Sequence, residues 1–490
     1  MRIAGRITIA GLCALVASSA LATTAAQARS SAQYRIEGRG WGHGIGMSQY
    51  GADGYAKKGW TSDQIIQHYY QGTVVAPRTA DGPSSLRVLL QSYLAPARIE
   101  LLAPGTVHQG AATLDLAKGD VVVMQSVGAK LSVTRVRTGQ PAVVVAKGSA
   151  ADATIVPSVD GGARILFAAD HAGYGTRFRG TLTGTRYDGK VSVFNTVPFE
   201  SYLRGVVPDE MPPSWHPEAL EAQAIAARSY ALRSLRTDFN WFDVYSDTRS
   251  QVYGGIDAEE ASTDTAIANT ANMVARVGGA DGEVAQTFFF STSGGRTAAN
   301  DHVWGSSPYS YLRSVASPYE HGSKYFTWKG SDVRKYTPMG LGSALGYSKS
   351  FRSASVTLHS SGYADDVVVA LKGGGTAKVD ASSLQAKLGL RSTYFRLSYL
   401  SLVAPDTAPQ GGFVKLSGRV PPGGTTQLLL SRGGGPAKPI TLKPSGSLGA
   451  WTVRTRMGTA SISATLVRQG MAGPRVTVQL AGGATAMSRR

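Results

Sequence analysis

The residues best placed to do chemistry stand in one run, Tyr202-Leu203-Arg204-Gly205-Val206-Val207-Pro208-Asp209-Glu210-Met211-Pro212. An acidic residue on a Pro-flanked turn, followed by Ala-rich sequence from Pro217 to Leu232, presents one carboxyl from a fixed loop beside a rigid element. A lone general acid/base is mounted in this way. Glu210 is the group expected to move a proton. Asp209 is expected to point elsewhere, because consecutive side chains diverge in most backbones. Glu200, Glu218 and Glu221 read as solvated or structural, and an acidic residue near a helix start is favourable.

Two further runs carry polar groups that could meet a ligand. In Gly38-Arg39-Gly40-Trp41-Gly42-His43-Gly44-Ile45-Gly46-Met47-Ser48-Gln49 the glycines let a ligand approach the backbone closely. His43 there could bond a hydroxyl, orient Glu210 or satisfy its own loop, and Ser48 and Gln49 share the argument. The spacing Gly-x-Gly-x-Gly-x-Gly lacks a βαβ context, which makes a dinucleotide fingerprint a weak alternative. Ser291 and Ser293, in Phe290-Ser291-Thr292-Ser293-Gly294-Gly295, lie in no Gly-x-Ser-x-Gly elbow, and Ser-x-x-Lys occurs nowhere. They read as hydrogen-bonding residues rather than nucleophiles. Arg228 and Tyr230 lie within a turn of each other and are candidates to face a groove, against the ordinary fates of ion pairing and packing. Trp304 and Tyr309 are candidate stacking platforms. His-Glu-x-x-His is absent, which argues against a metallopeptidase.

These residues need elements to hold them. Thr61-Ser62-Asp63-Gln64 has capping-box form and predicts a helix through Ile65, Ile66 and Tyr69. Pro217 opens a helix to about Arg236, with Glu218 and Glu221 at its start and Arg233 and Arg236 at its end. Leu86 to Val197 is strand-like, with β-rich runs such as Val121-Val122-Val123-Met124 between Gly and Asp turns. Pro405 to Gln410 reads as a linker, and residues 411–490 as a small β-sandwich.

The ends and the composition bound the setting. Arg2, Arg6, the apolar or small run Ile7 to Ala22, and Ala26-Gln27-Ala28 fit an export signal over residues 1–28. The one cysteine, Cys13, lies inside it, so the exported chain is expected to have no disulfide or thiolate site. No other stretch is apolar enough for a membrane span. The formal net charge is +18, or +16 without Arg2 and Arg6, spread along the chain. The natural counterpart outside a cell is an anionic wall polymer rather than nucleic acid.

The Glu210 run, the Ser291 run, Val303-Trp304-Gly305 and Tyr311-Leu312-Arg313-Ser314-Val315 together resemble the SpoIID/LytB family of cell-wall proteins. The resemblance covers nearly everything from Tyr34 to Leu400. In that family Gly-His-Gly-x-Gly-Met-Ser-Gln closes the domain after a Leu-Arg-Ser-Thr-x-Phe strand. Here it comes first, which reads as a circular permutation and predicts that residues 34–73 pack beside Thr393 to Leu400 and near Glu210. The resemblance implies an α+β, β-rich domain over residues 34–73 and 86–400, with an Ala-rich helix after the catalytic Glu and the sandwich appended.

It further implies a lytic transglycosylase acting on peptidoglycan glycan strands at the wall of a Gram-positive-type bacterium. Glu210 would be the catalytic acid/base, and His43, Ser48, Gln49, Arg228, Tyr230, Ser291, Ser293 and Trp304 would line the substrate groove. Some members carry Cys-Asp-x-x-His-Cys-Gln; the matching Ser246-Asp247-Thr248-Arg249-Ser250-Gln251 has lost every soft ligand, so no zinc and no cofactor are expected. Two rivals stand beside this reading. One is a non-catalytic enhancer whose partner is a cell-wall amidase. The other is a hydrolytic muramidase with a second carboxylate, such as Asp301 or Asp247, opposite Glu210.

Overall fold

The strand-like sequence from Leu86 onward builds two largely antiparallel sheets that share one core, with Val244–Tyr245 added parallel at one edge. A computed structural model describes residues 28–78, 81–94, 96–166, 176–238, 240–421, 425–445, 449–468 and 471–481. All of the expected export signal except Ala28 lies outside these residues. The chain divides into two units: Arg35–Lys335 with Met339–Leu397, and residues 1–34 with Tyr336–Pro338 and 398–490. The fold is mixed and β-rich, as expected.

In the first unit, one sheet runs in the order Val244–Tyr245, Ser85–Leu94, Lys190–Pro198, Thr181–Tyr187, Ala153–Pro157, Gly105–Gln109, Ala112–Leu116. The other runs Val143–Val144, Lys130–Val136, Val121–Val127, Ala97–Leu101, Ala163–Ile165. Alternate residues of each face inward: Val122 and Met124 from one sheet, Val107, Ile155 and Val193 from the other, all fully buried. Gly184 sits where a Cβ would lie 2.1 Å from the Met124 sulfur, so a larger residue there would force the Met124 side chain to move.

The helices lie beside this core. They include α1 (Gln49–Ala56), α2 (Ser62–Tyr69), α3 (Phe199–Arg204), α4 (Val207–Glu210) and α5 (Pro217–Arg233), then α6 (Ala261–Asn269) and α7 (Asn300–Trp304). The capping box of α2 is formed: the Thr61 hydroxyl accepts from Gln64 N–H, and the Gln64 amide oxygen accepts from Thr61 N–H at 3.0 Å. The strand Lys190–Pro198 delivers the chain into α3, α4 and α5 in succession.

The alanines of α5 explain its position. Ala224, Ala227 and Ala231 face the sheet core, while Ala219, Ala222 and Ala226 face a second core with Ile65, Tyr69 and Tyr70. Methyl-sized side chains let other backbone come close. The Ser229 hydroxyl accepts from Ala275 N–H at 2.9 Å, and the Thr287 hydroxyl donates to the Ala226 carbonyl at 2.7 Å. α5 is thus clamped on two sides.

In the second unit, Phe413–Arg419 pairs with both Phe395–Pro405 and Ala450–Arg456 in one sheet. Thr426–Arg432, Ile462–Arg468 and Met471–Leu480 lie in another. Leu402, Leu416, Leu428, Trp451, Leu466 and Val478 form their common core. The division at Ser398, rather than 411, has a physical reason. The strand Phe395–Pro405 runs on unbroken and sets Leu402 opposite Gly418, and Thr407–Ala408 is itself a strand paired with Gln479 and Leu480. Pro405 to Gln410 is therefore not a free linker.

Candidate functional site

Glu210 ends α4, a single turn with Pro208 in its first positions. Its N–H donates to the Val206 carbonyl at 3.2 Å, and the Gln49 amide donates to the Glu210 carbonyl at 2.8 Å. Backbone and neighbour together fix where the half-buried side chain starts. Burial pushes its carboxyl up to about 7, and the adjacent Asp209 charge adds to this, while hydrogen bonds from Val252 N–H and the Gln49 amide pull the other way. A carboxyl poised near neutrality can give up a proton and then take one back. Asp209 turns aside: its Oδ2 lies 2.6 Å from where a Gly254 Cβ would be, so the Gly254 backbone packs against it.

Two tyrosines flank the acid. Tyr202 is fully buried, with its hydroxyl donating to Gln251 Oε1 at 3.2 Å; burial chiefly, and Glu210 in part, raise its pKa. Tyr230 is half-buried and raised by the same two causes. Its ring meets Phe288 edge-on at 5.8 Å, and Phe288 meets Trp304 at 4.6 Å. Trp304 is 44% exposed. A run of aromatic surface therefore leads away from Glu210.

The glycine loop lies on this side. Gly40, Gly42, Gly44 and Gly46 all have positive φ, and a Cβ on Gly46 would lie 2.0 Å from the Phe288 carbonyl oxygen. Only glycine fits that approach. His43 is held by its own loop: Nδ1 accepts from Ile45 N–H at 3.1 Å, which leaves Nε2–H to donate to the Phe289 carbonyl at 3.1 Å. Burial lowers it to about 4. His43 is therefore neutral at pH 7 and packs against Phe290 and Trp304.

Ser48 is fully buried and caps α1 by accepting from Gly51 N–H, while its hydroxyl donates to the Ser291 carbonyl. The neighbours predicted from the permuted order are present. Arg39 N–H donates to the Tyr394 carbonyl, Gly42 N–H to the Arg391 carbonyl, and the Ser392 hydroxyl to the Arg39 carbonyl.

Some expected groove residues sit elsewhere. Arg228 is fully buried: it forms a two-pronged pair with Glu200 at 2.9 and 2.7 Å and donates to the Met273 carbonyl at 2.8 Å. The expectation that it meets substrate is corrected, since it spends its donors tying α5 to α3 and to the Met273–Val277 strand. Arg228→Met is expected to cost about 2–3 kcal/mol in urea unfolding, because a partly exposed Glu200 loses its partner. Stability equal to wild type would overturn this assignment. Ser293 is likewise fully buried: its hydroxyl and N–H both donate to Glu320. That leaves Ser291 as the half-buried member of the pair, beside the Thr292 hydroxyl.

Glu320 is the residue that sequence reasoning missed. It is fully buried and accepts from Ser293 N–H, Gly294 N–H, the Ser293 hydroxyl and the Ser317 hydroxyl at 2.9, 2.8, 2.6 and 2.5 Å. Nothing in its local sequence signals this. Trp215 and Tyr50, with ring centroids 4.7 Å apart, were also passed over, although Trp215 follows Glu210 within one turn and loop. Asp247 is paired with Arg249, and Asp301 with Arg313. Among the described residues no group of three or more His, Cys, Asp or Glu side chains gathers as for a metal ion. No helix among them is long and apolar enough to cross a membrane.

The fold and site define a β-rich α+β protein built round one half-buried acid on a helical turn. Residues 187–276, which span that turn and α5, match the SpoIID family, described as stage II sporulation protein. Over this stretch the chain is similar to that family. A stage II sporulation protein D of Bacillus amyloliquefaciens is 32% identical over 220 residues, 41% of this chain and 60% of the relative. An amidase enhancer of Bacillus subtilis (strain 168) is 39% identical over 108 residues, 22% of this chain and 14% of the relative. An uncharacterised protein of Brachyspira hyodysenteriae is 37% identical over 150 residues, covering 30% and 38%. The chain thus spans less than two thirds of each of these relatives. No solved structure matches it.

Proposed function

We propose that the protein is a secreted, wall-acting lytic transglycosylase that cleaves the glycan backbone of peptidoglycan with Glu210 as its acid/base. The observation that carries this reading is the Glu210 carboxyl itself, raised to about 7 by burial at a turn fixed by Gln49. Its proton goes to the glycosidic oxygen after a muramyl residue as the C1–O bond breaks. The resulting carboxylate takes the proton of that sugar's 6-hydroxyl, whose oxygen closes on C1 to give a 1,6-anhydro ring. No water is consumed and one carboxyl suffices. The neighbouring carboxylate, Asp209, turns toward Gly254, which favours this route over two-carboxylate hydrolysis. Tyr230, Phe288 and Trp304 supply aromatic surface for the sugars, Gln49 positions the acid, and Ser291 is available for hydrogen bonding.

The permuted order, export, binding of anionic wall polymers and wall attachment by the C-terminal sandwich belong to the same proposal. A second reading is favoured by one observation, the similarity to an amidase enhancer: the site would then bind glycan for a partner amidase and cut nothing. The test is incubation with peptidoglycan, intact and amidase-stripped, and mass spectrometry of the soluble products. Fragments ending in 1,6-anhydro-muramic acid are expected. Reducing muramic ends would sink the transglycosylase in favour of a hydrolase, and no fragments with retained wall binding would favour the enhancer.

A further inference from the structure

Two cavities open one after the other on the side of Glu210 where Tyr50 and Trp215 lie. The first, of about 310 Å³, is walled by Tyr50, Trp215 and Tyr319. The second, of about 510 Å³, carries Lys324 and Lys329, and both share His321 and Gly322. Tyr50 follows Gln49, which holds the Glu210 carbonyl, and Trp215 donates its N–H to the Pro212 carbonyl just beyond Glu210. The entrance is thus tied by backbone to the acid.

The two linings differ in chemistry. In the first, Lys57 is consumed by Asp53 at 2.5 Å, so the cavity presents no net charge and three rings, of which Tyr319 is 42% exposed. Flat rings flanked by a few polar groups suit the apolar faces of pyranose sugars, and the volume suits one or two of them. In the second, two exposed lysines and His321 stand with Ser323 and Thr327, and no carboxylate lines it. Lys324 lies 5.0 Å from the Tyr325 ring centroid, which restrains its stem. Ser323 is buried and bonded to Thr292, so the ammonium groups stand beside the exposed Thr327 with no acid to neutralise them, which suits an oxyanion.

We propose that the joined cavities form one subsite for an amino sugar bearing an oxyanion, the sugar against Tyr50, Trp215 and Tyr319 and the anion between Lys324 and Lys329. This rests on the reading that the Glu210 site handles glycan. The oxyanion is a carboxylate carried on the glycan or the phosphodiester of a polymer attached to it.

Binding tests the subsite separately from cleavage. The full chain carrying Glu210→Gln is titrated calorimetrically at low salt with chitotetraose, with a tetrasaccharide alternating N-acetylglucosamine and N-acetylmuramic acid with free carboxylates, and with a glycerol phosphate oligomer. The carboxylated tetrasaccharide is expected to bind at least about tenfold more tightly than chitotetraose. Lys324→Gln with Lys329→Gln should erase that margin and leave chitotetraose unchanged, while Tyr319→Ala weakens both sugars severalfold. A lysine-dependent margin seen with glycerol phosphate instead assigns the anion to a phosphodiester and keeps the anion cavity. Anionic binding indifferent to both lysines, or equal loss on neutral chitotetraose, overturns the proposal. Because no step requires turnover, an enzyme that fails to cut glycan would still give either answer.

Discussion

Glu210→Gln is expected to lower the release of anhydro-terminated glycan by about a thousandfold while leaving wall binding in place. Glutamine keeps the size and the polarity but can neither donate nor recover the proton. The pH profile gives the second half of the test. The acid must be protonated to attack the glycosidic oxygen, and burial holds it so up to about pH 7. Activity should therefore be high below 7 and fall as pH rises through it. Stability follows the same group with a definite sign. The folded carboxyl titrates near 7 and the unfolded one near its ordinary 4.5, so between these values the folded state binds more protons. Stability is then lost as pH rises from about 4.5 to about 7, by roughly 2–3 kcal/mol. Glu210→Gln should unfold with no such slope and be the more stable protein at pH 8. An unchanged slope, or wild-type turnover in the variant, would remove Glu210 from the mechanism.

Glu320→Ala is expected to be the most damaging change far from the acid, costing about 3–5 kcal/mol in urea unfolding. Four donors converge on that one side chain, two of them the N–H groups of Ser293 and Gly294. Alanine leaves them buried without an acceptor. The loop they belong to presents the Ser291 carbonyl to Tyr50 N–H and to Ser48, at the start of α1. Loss of Glu320 should therefore loosen Gln49 as well, and cleavage should fall further than the residual folded fraction explains. Glu320→Gln keeps one acceptor oxygen and is expected to recover about half of the stability. An alanine variant as stable as wild type would falsify the picture of Glu320 as the loop's anchor.

Local features were legible in the sequence and distant pairings were not. The capping box at Thr61 and Gln64, Pro217 at the first turn of α5, and the strand alternation at Val122 and Met124 all follow from residues a few positions apart. The turn that carries Glu210 was legible because prolines and an alanine run announce it. Arg228 was misplaced because a helical arginine reads the same whether it faces water or Glu200, and only the fold brings Glu200 to it. Glu320 was invisible for the same reason, since its donors at Ser293 and Gly294 come from another loop. Ser48 and Ser293 read as groove residues in the sequence, whereas the fold spends their hydroxyls on the Ser291 carbonyl and on Glu320.

The stretch around His43, which leads the folded chain, is bonded to some of its most distant parts. Gln49 reaches Glu210 across 161 positions, His43 reaches Phe289 across 246, and Ser392 reaches Arg39 across 353. Contacts of such separation raise the contact order and slow folding. While the chain is still being synthesised, this segment gains these partners in turn, Glu210 first, Phe289 next and Ser392 last, so its docking is complete only once residues near 392 have emerged. Assembly of the acid's surroundings is thus the last event in the maturation of this unit, and refolding experiments should find recovery of cleavage lagging behind recovery of β-sheet signal.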